Sequence, residues 1–164
     1  MTEFADIHDL ITDEELVRKA KQPNGTRCHV CNGKTQIYHR RFNGGMASTL
    51  IYMYRFGQDW FNIGRFLKAV RETHVADYTK LIFWDLMQRH PGKSEDGNKC
   101  GKYRITQEGI DFAEGYTTIW SHVYEYQSNV LAFDGEQIDI VDALAGEKFN
   151  YDELLSQSVP DELI

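Results

Sequence analysis

The sequence predicts an α+β fold, and three observations predict it. Apolar residues recur at helical spacing through Met46–Phe56 and Trp60–Glu72. An alternating pattern replaces that spacing from Ile119 to Tyr126, a stretch rich in β-branched and aromatic residues. Between them, a polar loop from His90 to Gly101 leads into a short β-type run, Lys102 to Ile105. These switches divide the chain into three segments, expected to pack as one compact unit. Residues 1–43 hold a helix and a C-x-x-C knuckle, residues 44–115 a largely helical centre, and residues 116–164 an acidic β-meander and a terminal helix.

Composition narrows the class. Of the 164 residues, 41% are hydrophobic and 13% aromatic, enough to build a packed core rather than a disordered chain. No apolar run reaches the length of a membrane span. The opening MTEFADIHDL lacks the basic and apolar regions of a signal peptide, and three cysteines are an odd number. The expectation is therefore a cytoplasmic protein with no membrane partner.

The net charge of −7 hides a strong asymmetry. Residues 1–15 carry six acids and no Lys or Arg; residues 16–110 carry seventeen Lys/Arg against seven acids, a net of +10; residues 111–164 carry one Lys against twelve acids, a net of −11. A basic body between acidic ends has two readings. It is a nucleic-acid footprint, or the acidic ends fold back and neutralise it.

Thr12 and Glu15 form a capping-box pair, which predicts a helix from Asp13 to Lys21, ended at Pro23-Asn24-Gly25. Cys28-His-Val-Cys31 followed by Gly33 is half of a zinc ribbon. A closed site needs four ligands; the possible completions are His29, His39 and Cys100, and His39, near the end of a predicted strand Lys34–His39, joins Cys28 and Cys31 as the candidate set. Zinc, a metal-free turn and a reduced redox pair all remain open for this motif. Gly44-Gly45 is read as a break before an apolar helix, Met46–Phe56, with Gly57 as its C-cap.

Asp59 is the expected cap of a helix from Trp60 to Glu72. Trp60, Ile63, Phe66, Leu67 and Val70 lie on one face, with Arg65, Lys68 and Arg71 on the other. Asp77 is the expected cap of a second helix, Tyr78–Trp84. Arg89, His90, Lys93, Lys99, Lys102 and Arg104 then fall within sixteen residues, against Glu95 and Asp96. Thr106 is positioned to cap a further helix beginning at Gln107.

Helix, turn, helix, strand, basic loop, strand and helix, together with Tyr103-Arg-Ile-Thr106-Gln-Glu-Gly109, resembles winged helix-turn-helix regulators of the MarR and PadR type. The resemblance covers the middle third of the chain. The flanks resemble uncharacterised bacteriophage and prophage proteins, so a phage-encoded viral protein in the host cytoplasm is the implied setting. The resemblance implies a winged-helix core in which the helix from Tyr78 enters the major groove. The implied DNA-contacting residues are Lys68, Arg71, Thr79, Lys80, Arg89, His90, Lys93, Lys99, Lys102 and Arg104. Such regulators are commonly homodimers, although no clean dimerisation helix stands out here.

After Gly115 the pattern changes to strands. Ile119–Tyr126, a turn at Gln127-Ser128-Asn129, Val130–Phe133, a hairpin at Asp134-Gly135 and Gln137–Val141 read as a three-stranded meander. A helical turn from Asp142 to Ala145 and a helix Tyr151–Ser156, capped by Asn150, close the chain. The sequence holds no P-loop, no G-x-S-x-G, no H-E-x-x-H and no dinucleotide fingerprint, and its six histidines are scattered. The expectation is a protein that is not an enzyme and whose partner is duplex DNA. The alternative partner is a host protein, met by the acidic C-terminal region of a phage inhibitor or defence antagonist.

Overall fold

The computed structural model describes residues 14–28, 31–70, 76–98, 100–145 and 150–156. Helices and antiparallel sheets are mixed along the chain, so the fold is α+β. Among the described residues no helix is long and apolar enough to cross a membrane. The chain divides into two compact units. One comprises the described residues up to Arg41 together with His122–Gly135; the other comprises Phe42–Ser121 and the described residues from Glu136 on.

The first unit begins with α1 (Glu14–Ala20), whose expected cap, Thr12, lies outside the described residues. Gly25, at φ 62°, turns the chain where Pro23-Asn24-Gly25 predicts a stop. Any side chain there would meet the Thr35 carbonyl oxygen at 2.5 Å, so glycine is required twice over. The predicted strand Lys34–His39 forms instead as two pieces, β2 (Lys34–Thr35) and β3 (Tyr38–Arg41). β2 pairs with β1 (Thr26–Arg27), and the Ile37 amide between the pieces donates to Ala20 rather than to a strand. Ala20, Ile37 and Tyr126 form a small core, with Val17, Tyr124 and Leu131 packed against it.

β3 pairs antiparallel with β6 (Ile119–Tyr126), which lies between β3 and β7 (Asn129–Ile138). The turn between β6 and β7 has two residues, Gln127 and Ser128, at φ 47° and 66°. Positive φ at both positions is the mark of a type I′ turn, whose twist matches the flanking strands. The Asp134-Gly135 hairpin does not form. β7 runs straight through it, with Gly135 at φ 88° inside the strand. β7 is already paired with β6 through the turn at Gln127-Ser128, and Gly135 is accommodated within the strand.

The second unit is organised around α2 (Gly44–Phe56), most of it buried. Gly44-Gly45 does not break the chain. Asn43 caps the helix by accepting from the Met46 amide, and both glycines lie in its first turn. α2 packs on the segment Ala76–Trp84, on the strand Tyr103–Ile105 and on the helices Gln107–Ala113, Ile140–Leu144 and Tyr151–Ser156. Aromatic edge-to-face contacts fill the space, among them Tyr52–Phe66 at 5.3 Å, Phe56–Phe66 at 4.8 Å and Phe42–Phe112 at 5.6 Å. Each such pair adds about 0.5–1.5 kcal/mol beyond its buried area.

The helix predicted from Trp60 starts later, as α3 (Ile63–Val70). Asn62, not Asp59, accepts from the Arg65 amide at its start. The reason is that Phe61 is held in a β-bridge: its N–H and C=O both bond to Tyr103. Residues 71–75, which hold the end of the expected helix and most of the expected turn Thr73–Ala76, lie outside the described residues.

The next segment is a 3₁₀ helix, Ala76–Trp84, where an α-helix is expected. A three-residue turn aligns positions i and i+3, and Leu81 and Trp84 are buried at that spacing. Asp77 does not act as an outside cap; its carboxylate accepts from Asn43. Asp85, at φ 56°, ends the segment.

β4 (Met87–Arg89) and β5 (Tyr103–Ile105) then form a hairpin, registered Met87–Ile105, Gln88–Arg104 and Arg89–Tyr103. Thr106 caps α4 (Gln107–Ala113) as expected, accepting from Gly109, and its hydroxyl donates to the Asp85 carbonyl. The predicted third strand Gln137–Val141 does not form as a separate strand: Gln137 and Ile138 end β7. Asp139 and Asp142 make a reciprocal capping box, and α5 (Ile140–Leu144) begins within the expected strand. α6 (Tyr151–Ser156) is capped by Asn150, and Tyr151 donates to Ala113.

Candidate nucleic-acid interface

The basic hairpin lies wholly within the second unit. Its two strands place Gln88 opposite Arg104 and Arg89 opposite Tyr103, and side chains tie both pairs. Arg104 Nε donates to Gln88 Oε1 at 3.0 Å, and its guanidinium lies 4.4 Å from the centroid of the Trp60 ring. Arg89 Nε donates to the Tyr103 hydroxyl at 3.3 Å and lies over the same ring. A cation over an aromatic face is ordered without losing its charge. Tyr103 in turn meets Tyr78 edge to face at 5.8 Å. Tyr78 packs against Gly64 of α3, where a methyl group would come within 2.9 Å of its hydroxyl. Burial, reinforced by Tyr103 and opposed by Arg89, pushes the Tyr78 phenol above its ordinary range.

Lys93 and Lys102 are exposed, as are Arg89 and Lys68. Among the described residues, none of Lys68, Lys80, Arg89, Lys93, Lys102 and Arg104 makes an ion pair. The hairpin thus presents cations whose charge is not neutralised by a neighbouring carboxylate there. His90 differs from them. Its Nδ1 accepts from the Gly92 amide at 2.9 Å and its ring meets Trp60 at 4.8 Å, so it shapes the start of the loop.

The other predicted residues fall less favourably. Thr79 and Lys80 lie in the 3₁₀ helix and are half-buried, with Lys80 over the Phe83 ring. Arg71 and Lys99 lie outside the described residues. Sequence reading missed Trp60, Gln88 and Tyr103 as the groups that hold the hairpin cations. Trp60 fits the apolar face of a helix, and nothing in the sequence signals that it precedes the helix and faces β5.

The candidate metal ligands are not brought together. Cys28 is buried and Cys31 exposed in the β1–β2 loop; the Cys28 amide donates to Gly33 and its carbonyl accepts from Asn32. No disulfide joins the cysteines. His39 Nε2 lies 3.0 Å from Asp134 Oδ2. Among the described residues, no three His, Cys, Asp or Glu side chains form a group that could hold a metal ion.

Comparison with protein-family models, with curated proteins and with solved structures finds no match.

Proposed function

We propose that the second unit is a winged-helix module that binds duplex DNA, with the β4–β5 hairpin as its wing. The observation that carries this reading is the set of un-neutralised cations on the hairpin, Arg89, Lys93, Lys102 and Arg104. Supporting it is the order of elements: helix, one-residue bridge at Phe61, helix, 3₁₀ helix and hairpin, with the bridge pairing on the returning strand. A wing of this kind holds phosphates, which positions a protein on DNA without reading sequence.

The half-buried 3₁₀ helix offers Thr79 and Lys80, a thin set for base edges. Affinity is therefore expected to be mostly electrostatic. The test is retardation of duplex DNA at low salt by the wild type and by a Lys93→Glu/Lys102→Glu variant. The reading expects the variant to shift DNA only at higher protein concentration, and an unchanged shift contradicts it. A second reading, interaction with a protein through the acidic C-terminal region, is favoured by the exposure of Val130, Phe133 and Val141. Absence of any shift by the wild type would turn the account toward that reading.

A further inference from the structure

The first unit carries a group of titratable side chains that the hairpin does not involve. His39 of β3 stacks on two rings of β6: His122, with centroids 4.7 Å apart and planes at 24°, and Tyr124, at 4.3 Å and 15°. The register explains the stack. His39 is directly opposite Tyr124, and Arg41 is directly opposite His122. Since side chains alternate along a strand, His39, Arg41, His122 and Tyr124 belong to one face. Lys21, just past α1, places its ammonium 4.3 Å from the centroid of the Tyr124 ring. Asp134 of β7 is the anion of the group, 3.0 Å from His39. Arg40, one residue along, belongs to the opposite face, where it pairs with Glu125.

His122 and Tyr124 are half-buried, and the groups around them reach solvent. The side chains of His39 and Asp134 are 43% and 49% exposed, and Lys21 and Arg41 are exposed as well. Its charge depends on two imidazoles, the side chains that change charge between about pH 5 and about pH 8. Two fixed cations against one fixed anion leave a charge of +1 with both rings neutral, and +3 with both protonated. Asp134 stays ionised across that interval. The Gly135 amide first, then His39 and His122, hold its carboxyl below the ordinary range, while desolvation opposes them.

Two stacked imidazolium rings repel each other, and an anion laid against them offsets the repulsion. Arg, Lys and protonated His are all donors without acceptors, which is the chemistry a phosphate oxygen needs. Because His39 Nε2 faces Asp134, its Nδ1 is the ring nitrogen left for such an anion.

We propose that this face of the first unit is a second nucleic-acid contact that takes a phosphodiester backbone through His39, His122, Arg41 and Lys21, and tightens as pH falls. The inference rests on the reading of the chain as a nucleic-acid-binding protein. It adds a contact surface in the other unit and a proton dependence that the hairpin lysines and arginines do not have.

The test is fluorescence anisotropy of labelled duplex and single-stranded DNA at fixed ionic strength, at about pH 8 and about pH 6. Four proteins are compared: wild type, His39→Gln/His122→Gln, Lys93→Glu/Lys102→Glu, and the combination. The wild type is expected to bind about tenfold more tightly at the lower pH, the effect of one proton whose affinity shifts by one unit. The histidine variant should lose most of that ratio, and the hairpin variant should bind more weakly at both pH values while keeping the ratio. Imidazole proton resonances of His39 and His122 that shift on adding DNA give a second readout, one that needs no variant.

A flat wild-type pH profile, or a ratio unchanged by the histidine substitutions, overturns this inference and leaves the hairpin reading standing. A ratio that the histidine variant abolishes, with affinity indifferent to the hairpin substitutions, upholds the second contact and overturns the hairpin. No binding by the wild type at either pH overturns both.

Discussion

The guanidinium of Arg104 lies 4.4 Å from the centroid of the Trp60 ring, and its Nε is bonded to Gln88 on the neighbouring strand. One face of the cation is thus covered and one edge fixed, which orders a charge that would otherwise sweep the surface. Ring and cation attract by about 0.5–1 kcal/mol at an exposed position. Trp60→Leu is therefore expected to weaken DNA binding about two- to fivefold while leaving the hairpin folded. Anisotropy titration measures it, and unaltered affinity would show that the stack contributes nothing to the interface.

Gly109 explains the last position of the Tyr-x-x-Thr-x-x-Gly phrase. A methyl group there would approach the Leu86 carbonyl oxygen to 2.2 Å and Ile105 Cγ1 to 2.7 Å. The first of these is backbone and cannot step aside. Alanine normally stabilises a helix interior by about 1 kcal/mol relative to glycine. Here the crowding should reverse the sign, and Gly109→Ala should lower stability by about 1–3 kcal/mol in denaturant unfolding. A stabilised variant would contradict the close approach of α4 to the Leu86 peptide.

In the first unit half-buried Arg40 forms an ion pair with buried Glu125. Arg40 Nε donates to Oε1 at 2.7 Å, and the second carboxylate oxygen accepts from the Ser128 amide in the type I′ turn. The side chain of Glu125 is only 5% exposed. Removing Arg40 would leave a buried carboxylate short of its cation, which typically costs about 3–5 kcal/mol. Arg40→Ala is expected to unfold the first unit at markedly lower denaturant, and Arg40→Ala/Glu125→Leu to recover much of the loss. Equal stability of the two variants would contradict this view of the pair.

Alkaline pH should act on the second unit through three tyrosines. Tyr54 is raised above its ordinary value of 10.0 chiefly because its hydroxyl is bonded to Glu114, with burial adding to the effect. Tyr78 and Tyr151 are raised first by burial. A raised phenol is more easily kept neutral in the fold than in the unfolded chain. Its contribution to stability is therefore complete below the ordinary value and is lost as pH climbs through the raised one. Thermal midpoints should fall above about pH 10, and Glu114→Gln should bring the Tyr54 titration, followed by ultraviolet absorbance, back toward its ordinary range. Titration of all tyrosines at the ordinary value would contradict the assignment.

Where local signals agree with packing, the sequence is readable. α2 is apolar on nearly every side and mostly buried, Thr106 caps the helix that begins at Gln107, and β6 alternates in burial from Trp120 to Glu125. Where the reading fails, another partner has taken the segment, near or far along the chain. Asp134-Gly135 is a sound hairpin signal, but β7 is already paired through Gln127-Ser128. Trp60 fits a helical face, but the β-bridge between Phe61 and Tyr103 delays the helix. The cations of the hairpin were legible as a cluster, because charge is local. The rings that hold them were not, because Trp60 meets Arg104 only through the fold. The same holds for His39, whose neighbours come from β6 and β7.

The most direct test of the proposed interface is the affinity for duplex DNA across a salt series. Each phosphate neutralised adds about −0.9 to the slope of log affinity against log salt. The four described hairpin cations, if all engaged, give a slope of about −3 to −4, and Lys93→Glu/Lys102→Glu should make it shallower by about 2. A slope near zero, or a steep one that those substitutions leave untouched, would contradict the assignment of the hairpin as the DNA-binding surface.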